Sequence, residues 1–116
     1  MVALNLPENQ AEIDILIKRE LDNGIDSFLL LNNQVVFKTL ASLKKFNVKI
    51  PQEVRLISFD DNEAFAYMEP AISALRQPVK LIGTESVDRI LERLKETKVP
   101  GKHLLLACEF IARGSH

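Results

Sequence analysis

Short apolar runs alternate with amphipathic stretches along this chain, and that alternation constrains its fold more than any other feature. Val2 to Leu6, Ile25 to Leu31, Arg55 to Phe59, Ala71 to Arg76 and Leu104 to Ile111 are brief, rich in apolar side chains and set between turn signals. Runs of this kind read as strands of a parallel sheet. Between them the apolar residues follow a helical period. Asn9 and Glu12 form a capping box ahead of Ile13, Leu16, Ile17 and Leu21, and Gly24 supplies a left-handed stop. Asn32 or Asn33 caps a second helix with Val36, Leu40 and Leu43 on one stripe, closed by Asn47. Asn62 caps a short helix that ends before Pro70. Pro78 opens a longer helix with Val79, Ile82, Val87, Ile90, Leu91 and Leu94 near one side. The expected fold class is α/β, with a mainly parallel, three-layer α/β/α sheet.

A length of 116 residues allows one domain or a piece of a larger one. The net charge of −1 gives no support for a nucleic-acid surface, and Lys44, Lys45 and Lys49 cluster at a helix end, where cations suit the dipole. Cys108 is the only cysteine, so a reducing compartment is expected, and Leu106, Ala107 and Phe110 around it suggest an inert core thiol. No apolar run approaches the ~20 residues of a membrane span. His103 beside a turn and the terminal His116 are expected to be solvated. No cofactor or metal is called for.

The strand from Leu56 to Phe59 ends abruptly on two carboxylates, Asp60 and Asp61. In open α/β sheets ligands bind just beyond the carboxyl ends of strands. Asn32 and Gln77 follow neighbouring strands in the same way. Amides both donate and accept, and a carboxylate accepts from two adjacent hydroxyls, so this mixture suits a neutral polyol such as a sugar. A phosphate would want a Gly-rich loop or an Arg pair. Helix capping accounts for Asn32 and Asp61 about as well.

Several segments follow one another in a characteristic order. Gly24-Ile25-Asp26-Ser27-Phe28-Leu29-Leu30-Leu31-Asn32-Asn33 is followed by Ile50-Pro51-Gln52-Glu53-Val54, by Ser58-Phe59-Asp60-Asp61, by Arg76-Gln77-Pro78 and by Ile111-Ala112-Arg113-Gly114-Ser115. Over nearly its whole length the chain resembles the carboxyl-terminal part of lactose/galactose-repressor-type (LacI/GalR-type) transcription regulators, whose core is shared with periplasmic sugar-binding proteins. The Pro-x-Asp/Glu-Val pattern before a strand ending Phe-Asp-Asp favours the repressors over a piece of a periplasmic sugar-binding protein.

That resemblance implies one subdomain of a periplasmic-binding-protein-like (type I) fold over residues 1–116. Residues 78–100 are then a crossover helix of the amino-terminal subdomain and 104–113 a closing strand. It implies an effector, a sugar, bound by hydrogen bonds from Asn32 and Asp60, with Gln77 in the crossover and Val79 walling the pocket. It further implies a homodimer contact through Val36, Phe37 and Leu40 of the helix after Asn33 and through Tyr67, Met68 and Ile72. A cytoplasmic location follows, with operator DNA gripped only through a helix-turn-helix that has no counterpart in these residues, and no membrane. The family pattern has Asn-Asp at Asn32-Asn33, Gly at Ser58 and Thr-Thr at Ser73-Ala74, and these departures bear on ligand identity and hinge details.

The resemblance implies a binding module rather than an enzyme. Two competitors use the same carboxylates: a magnesium or acid/base site on Asp60 and Asp61, and a receiver-like phosphorylatable domain. No His, Ser or Lys is placed to complete a catalytic set, and the acidic pair comes too late in the chain for a receiver. The stripe of the helix after Pro78 needs an apolar partner, for which a neighbouring copy is favoured over the chain's own sheet.

Overall fold

The computed structural model describes residues 5–95 and 100–116. Helix α1 spans Gln10–Asp22, strand β1 Ser27–Leu30, helix α2 Asn33–Lys45, and strand β2 Arg55–Ser58. A 3-10 turn at Glu63–Tyr67 precedes β3, Ser73–Arg76; helix α3 covers Val79–Lys95 and β4 covers Glu109–Ile111. The strands lie in the order β1-β2-β3-β4, the first three parallel and β4 antiparallel to β3.

Local chemistry sets the helix ends. The Asn9 side chain accepts from the Ala11 N–H, that of Asn32 from the Val35 N–H, and that of Asn62 from the Ala64 N–H, so Asn32 rather than Asn33 caps α2. α1 and α2 close by the same device. Gly24 and Asn47 have positive φ of 82° and 55°, and in each case the next residue's N–H returns to a carbonyl five residues back, Ile25 to Glu20 and Val48 to Leu43.

The core lies where α1 and α2 meet one face of the sheet. Ile13 and Ile17 of α1, Val36 and Leu43 of α2, Leu30, Leu56 and Ala74 of the strands, and Phe65 of the 3-10 turn are all buried. The period of two is plain in β1, where Leu30 is buried and Leu29 exposed. Phe28 aligns with Leu56, Leu30 with Ser58, and Ser58 with Ala74, so these positions share the core face. Asp14 joins the two helices: its carboxylate accepts from Gln10 Nε2, from Ser42 Oγ at 2.6 Å and from Lys45 Nζ at 2.7 Å. These partners, the Lys45 bond first, hold the carboxyl at about 2.

Several expectations change. The closing strand expected over 104–113 is reduced to Glu109–Ile111. Its register pairs Arg76 with Glu109, so residues before Glu109 run past the end of β3, where Pro78 begins the crossover and offers no strand to pair with. Cys108 is therefore exposed and not a core thiol. His116 is exposed, as expected, and its ring is also positioned, with Nδ1 2.8 Å from Ser73 Oγ and the ring edge-on to Phe110. The strand expected from Val2 to Leu6 falls mainly outside the described residues, as does the end of the crossover helix beyond Lys95. Helix α3 buries none of its described residues and does not return to the sheet, which leaves the molecule 58 Å long and 26 Å by 23 Å across.

The tail after β4 is woven into the sheet. Pairing between β2 and β3 begins only at Ile57 and Ser73, so the edge of Leu56 that faces β3 lacks a strand partner. Ser115 fills that position. Its carbonyl accepts from the Leu56 N–H at 2.7 Å, its hydroxyl donates to the Leu56 carbonyl at 2.7 Å, and the Ser73 N–H donates to that hydroxyl. Ser115 is fully buried, as satisfied polar groups in a core can be.

Candidate functional site at the carboxyl edge of the sheet

Three parallel strands bring their carboxyl ends to one edge, and that edge carries Asn32, Asp60 and Gln77. Asp60 and Gln77 meet there: Gln77 Nε2 donates to Asp60 Oδ1 at 2.5 Å. The Ser58 hydroxyl, buried at the end of β2, donates to the Asp60 carbonyl at 2.6 Å and pins the turn that presents this carboxylate. The second carboxylate oxygen of Asp60 accepts no hydrogen bond among the described residues.

Asn32 stands one strand over and makes no hydrogen bond with either among the described residues. Its Oδ1 is engaged by the cap, while its amide N–H groups make no hydrogen bond among the described residues. Capping and ligand reading are thus compatible in one side chain. Val79, exposed at the start of α3, shares a shallow concave surface with Gln77, Pro78, Lys80, Leu81 and Thr84.

Asp61 has a different role from its neighbour. Oδ1 accepts from Arg113 Nη1 at 2.8 Å, while Oδ2 accepts from Arg76 Nη2 at 2.7 Å and Nε at 3.0 Å. Arg113 above all, and then Arg76, holds this carboxyl below the usual carboxylate range against the opposing effect of burial. Asp61 in turn raises the Arg76 guanidinium. Both oxygens of Asp61 are occupied by guanidinium groups, which weighs against an acid/base or magnesium pair with Asp60. Asp61 does not cap the next turn either, since Asn62 does so.

The residues expected at a dimer contact divide. Val36 and Ile72 are buried in the chain's own core, so they support the surface from beneath. Phe37, packed against Phe65 at 6.0 Å between ring centroids, is partly exposed, Tyr67 is 89% exposed, and Leu40 and Met68 are half-buried. Sequence reasoning missed Ser58, Arg76 and Arg113 as parts of the site. The adjacent Asp60-Asp61 pair was the available signal, because two neighbouring carboxylates need counter-charges.

A family described as the periplasmic binding protein-like domain matches residues 5–116. Among curated proteins, the "Probable opine utilization operon repressor" of Rhizobium rhizogenes is 34% identical over 94 residues, covering 80% of this chain and 48% of that protein. The "Lactose operon repressor" of Rhizobium radiobacter is 29% identical over 90 residues, covering 78% of this chain and 79% of that one. Among solved structures, a LacI family transcriptional regulator from Enterococcus faecalis V583 with bound ribose superposes with a TM-score of 0.80 at 20% identity, covering 97% of this chain and 42% of that one. The chain spans about half the length of the first of these relatives. At such identity the structural likeness speaks for the fold.

Proposed function

We propose, because this chain belongs to the periplasmic binding protein-like domain family, that it forms the carboxyl-terminal part of an effector-sensing module in a LacI/GalR-type transcription regulator. The effector is a small polyol, a sugar, read by Asp60 and Asn32 and flanked by Gln77 and Val79. The single observation that carries this is the carboxylate of Asp60, pinned by Ser58 and Gln77 at the carboxyl edge of a parallel sheet with an oxygen to spare. Curated relatives named as repressors and solved relatives named with ribose or cellobiose support it. The chain acts by binding and not by catalysis. α3 belongs to the crossover into an amino-terminal subdomain, and operator DNA is contacted through a helix-turn-helix outside these residues. A homodimer surface is formed by Phe37, Leu40, Tyr67 and Met68, and a cytoplasmic location goes with this role.

Effector pockets enclose a ligand between two walls, and this chain supplies one, so affinity is expected no better than roughly millimolar. Titration of the isotope-labelled chain with D-ribose and with cellobiose, followed by NMR, tests the proposal. Saturable shifts at Asn32, Asp60 and Gln77 support it. Saturable shifts confined to other surfaces, or none with either sugar, overturn the sugar assignment.

A further inference from the structure

The geometry points to Asp61 as a positioning residue for the ligand-reading carboxylate, held in place by Arg113 of the carboxyl-terminal tail and by Arg76. The exits of β2 and β3 are joined by two consecutive side-chain pairs. Asp60 meets Gln77, and Asp61 meets Arg76, so the residue that would touch a ligand and the one that does not are each matched to neighbours in sequence. The two pairs differ in character. Gln77 gives Asp60 one hydrogen bond, whereas Asp61 accepts on both oxygens from two guanidinium groups.

The Asp61 side chain is only 8% exposed and that of Arg113 13%, so their pair is shielded from water and salt. Arg113 also donates through Nη1 to the Ile72 carbonyl at 2.6 Å, and its own N–H donates to Ser73 Oγ at 2.9 Å. It is therefore fixed to the start of β3 before it meets Asp61. A side chain fixed at both ends transmits position. With Asp61 held, the peptide between Asp60 and Asp61 has little freedom, and the Asp60 carboxylate is kept facing Gln77. Binding groups need their supports ordered in this way to recognise a ligand without an entropic cost at the moment of contact.

The ligand arm of this inference rests on the sugar reading, but its central claim does not. The test uses the whole isotope-labelled chain and follows the side-chain amide of Gln77, which reports the bond to Asp60 directly. Asp61→Asn and Arg76→Gln are expected to move that signal toward its position in Asp60→Ala, while Arg113→Lys keeps it near the wild type. D-ribose response in Asp61→Asn is expected to weaken roughly tenfold, the ratio that loss of one hydrogen bond to a charged group produces. Arg113→Gln is a further variant, and if it fails to fold, Asp61→Asn and Arg76→Gln still decide the matter. A Gln77 signal unmoved in both of these, with only thermal stability lowered, would show that Asp61 is structural and nothing more. If the wild-type chain gives no response to ribose while the Gln77 signal moves as described, the positioning role stands and the sugar reading alone falls.

Discussion

Arg113 and Asp61 are 52 residues apart in sequence and meet at 2.8 Å, both largely out of water. Asp61 has a second partner in Arg76, whose side chain is half exposed. The same carboxylate thus holds one shielded contact and one screened contact, and their removal should have unequal effects. Arg113→Ala is expected to cost about 3 kcal/mol, the low end for removing one partner of a buried pair, because Arg76 remains. Arg76→Ala should cost clearly less, as for an exposed pair screened by solvent. Urea unfolding of the two variants checks the order, and equal losses would contradict it.

Acid should weaken the chain through Asp14 and Asp61. Both carboxyls titrate below 3.8 when folded and near it when unfolded. A folded value below the unfolded one adds stability that is complete above about pH 5 and drains away as pH falls. For Asp14 the loss continues down to about 2. Stability measured by denaturant between neutral and acid pH should show this decline, and Asp14→Asn should flatten part of it. An unchanged acid limb in that variant would sink the assignment.

Asp60→Ala should separate binding from folding. Among the described residues its carboxylate has one side-chain partner, Gln77, at a partly exposed edge. The expected stability loss is below about 1 kcal/mol, while sugar response falls about tenfold or more. Thermal unfolding and NMR titration on one sample read both. A variant that unfolds instead would mean that Asp60 is a structural residue.

Asn32 carries two roles that substitution can pull apart. Asn32→Ala should lose about 1 kcal/mol with the cap and the ligand response with the amide. Asn32→Ser keeps a capping oxygen, so stability should stay near wild type while the response still falls. Retention of ligand response by Asn32→Ser would leave capping as its whole role.

The exposed stripe of α3 predicts that stability and self-association respond to different residues. Ile90, 60% exposed, contributes nothing to the core, whereas Leu56 is fully buried. Ile90→Asp should leave the unfolding midpoint unchanged and reduce concentration-dependent association seen by sedimentation to what the Phe37 and Tyr67 surface supports. Leu56→Ala should cost about 2–5 kcal/mol. Association undiminished in Ile90→Asp would place the contact elsewhere.

What the sequence made legible was local. Asn9 and Asn62 as caps, one of Asn32 and Asn33 as another, Gly24 and Asn47 as stops, and the order of strands and helices each depend on a few neighbouring residues, and local chemistry decides them. Asp60 and Gln77 were also within reach, since strand ends in a parallel sheet share an edge. Hidden from the sequence were facts that depend on distant partners. Nothing near Arg113 announces Asp61, and nothing near Ser115 announces Leu56. Leu104 to Cys108 has the apolar character of a strand, yet no facing strand reaches it. The stripe of α3 has the periodicity of a buried helix, and periodicity says only that a face is apolar, not what covers it.

Ser115 closes a contact with Leu56 across 59 residues, in the seam between two parallel strands. A nascent chain whose residues from Glu109 onward still occupy the ribosomal tunnel has that seam open, with the Leu56 backbone unpaired on one side. The α1–α2 contacts and the β1–β2 and β2–β3 pairings involve only residues made earlier, but the Leu56 position of the seam waits for Ser115. Synthesis at about 5–20 residues per second sets that interval, during which the Leu56 backbone and the side of β3 that β4 will cover are open to another strand. Protease resistance of stalled chains should therefore rise in one step as Ser115 emerges, rather than growing with each strand made.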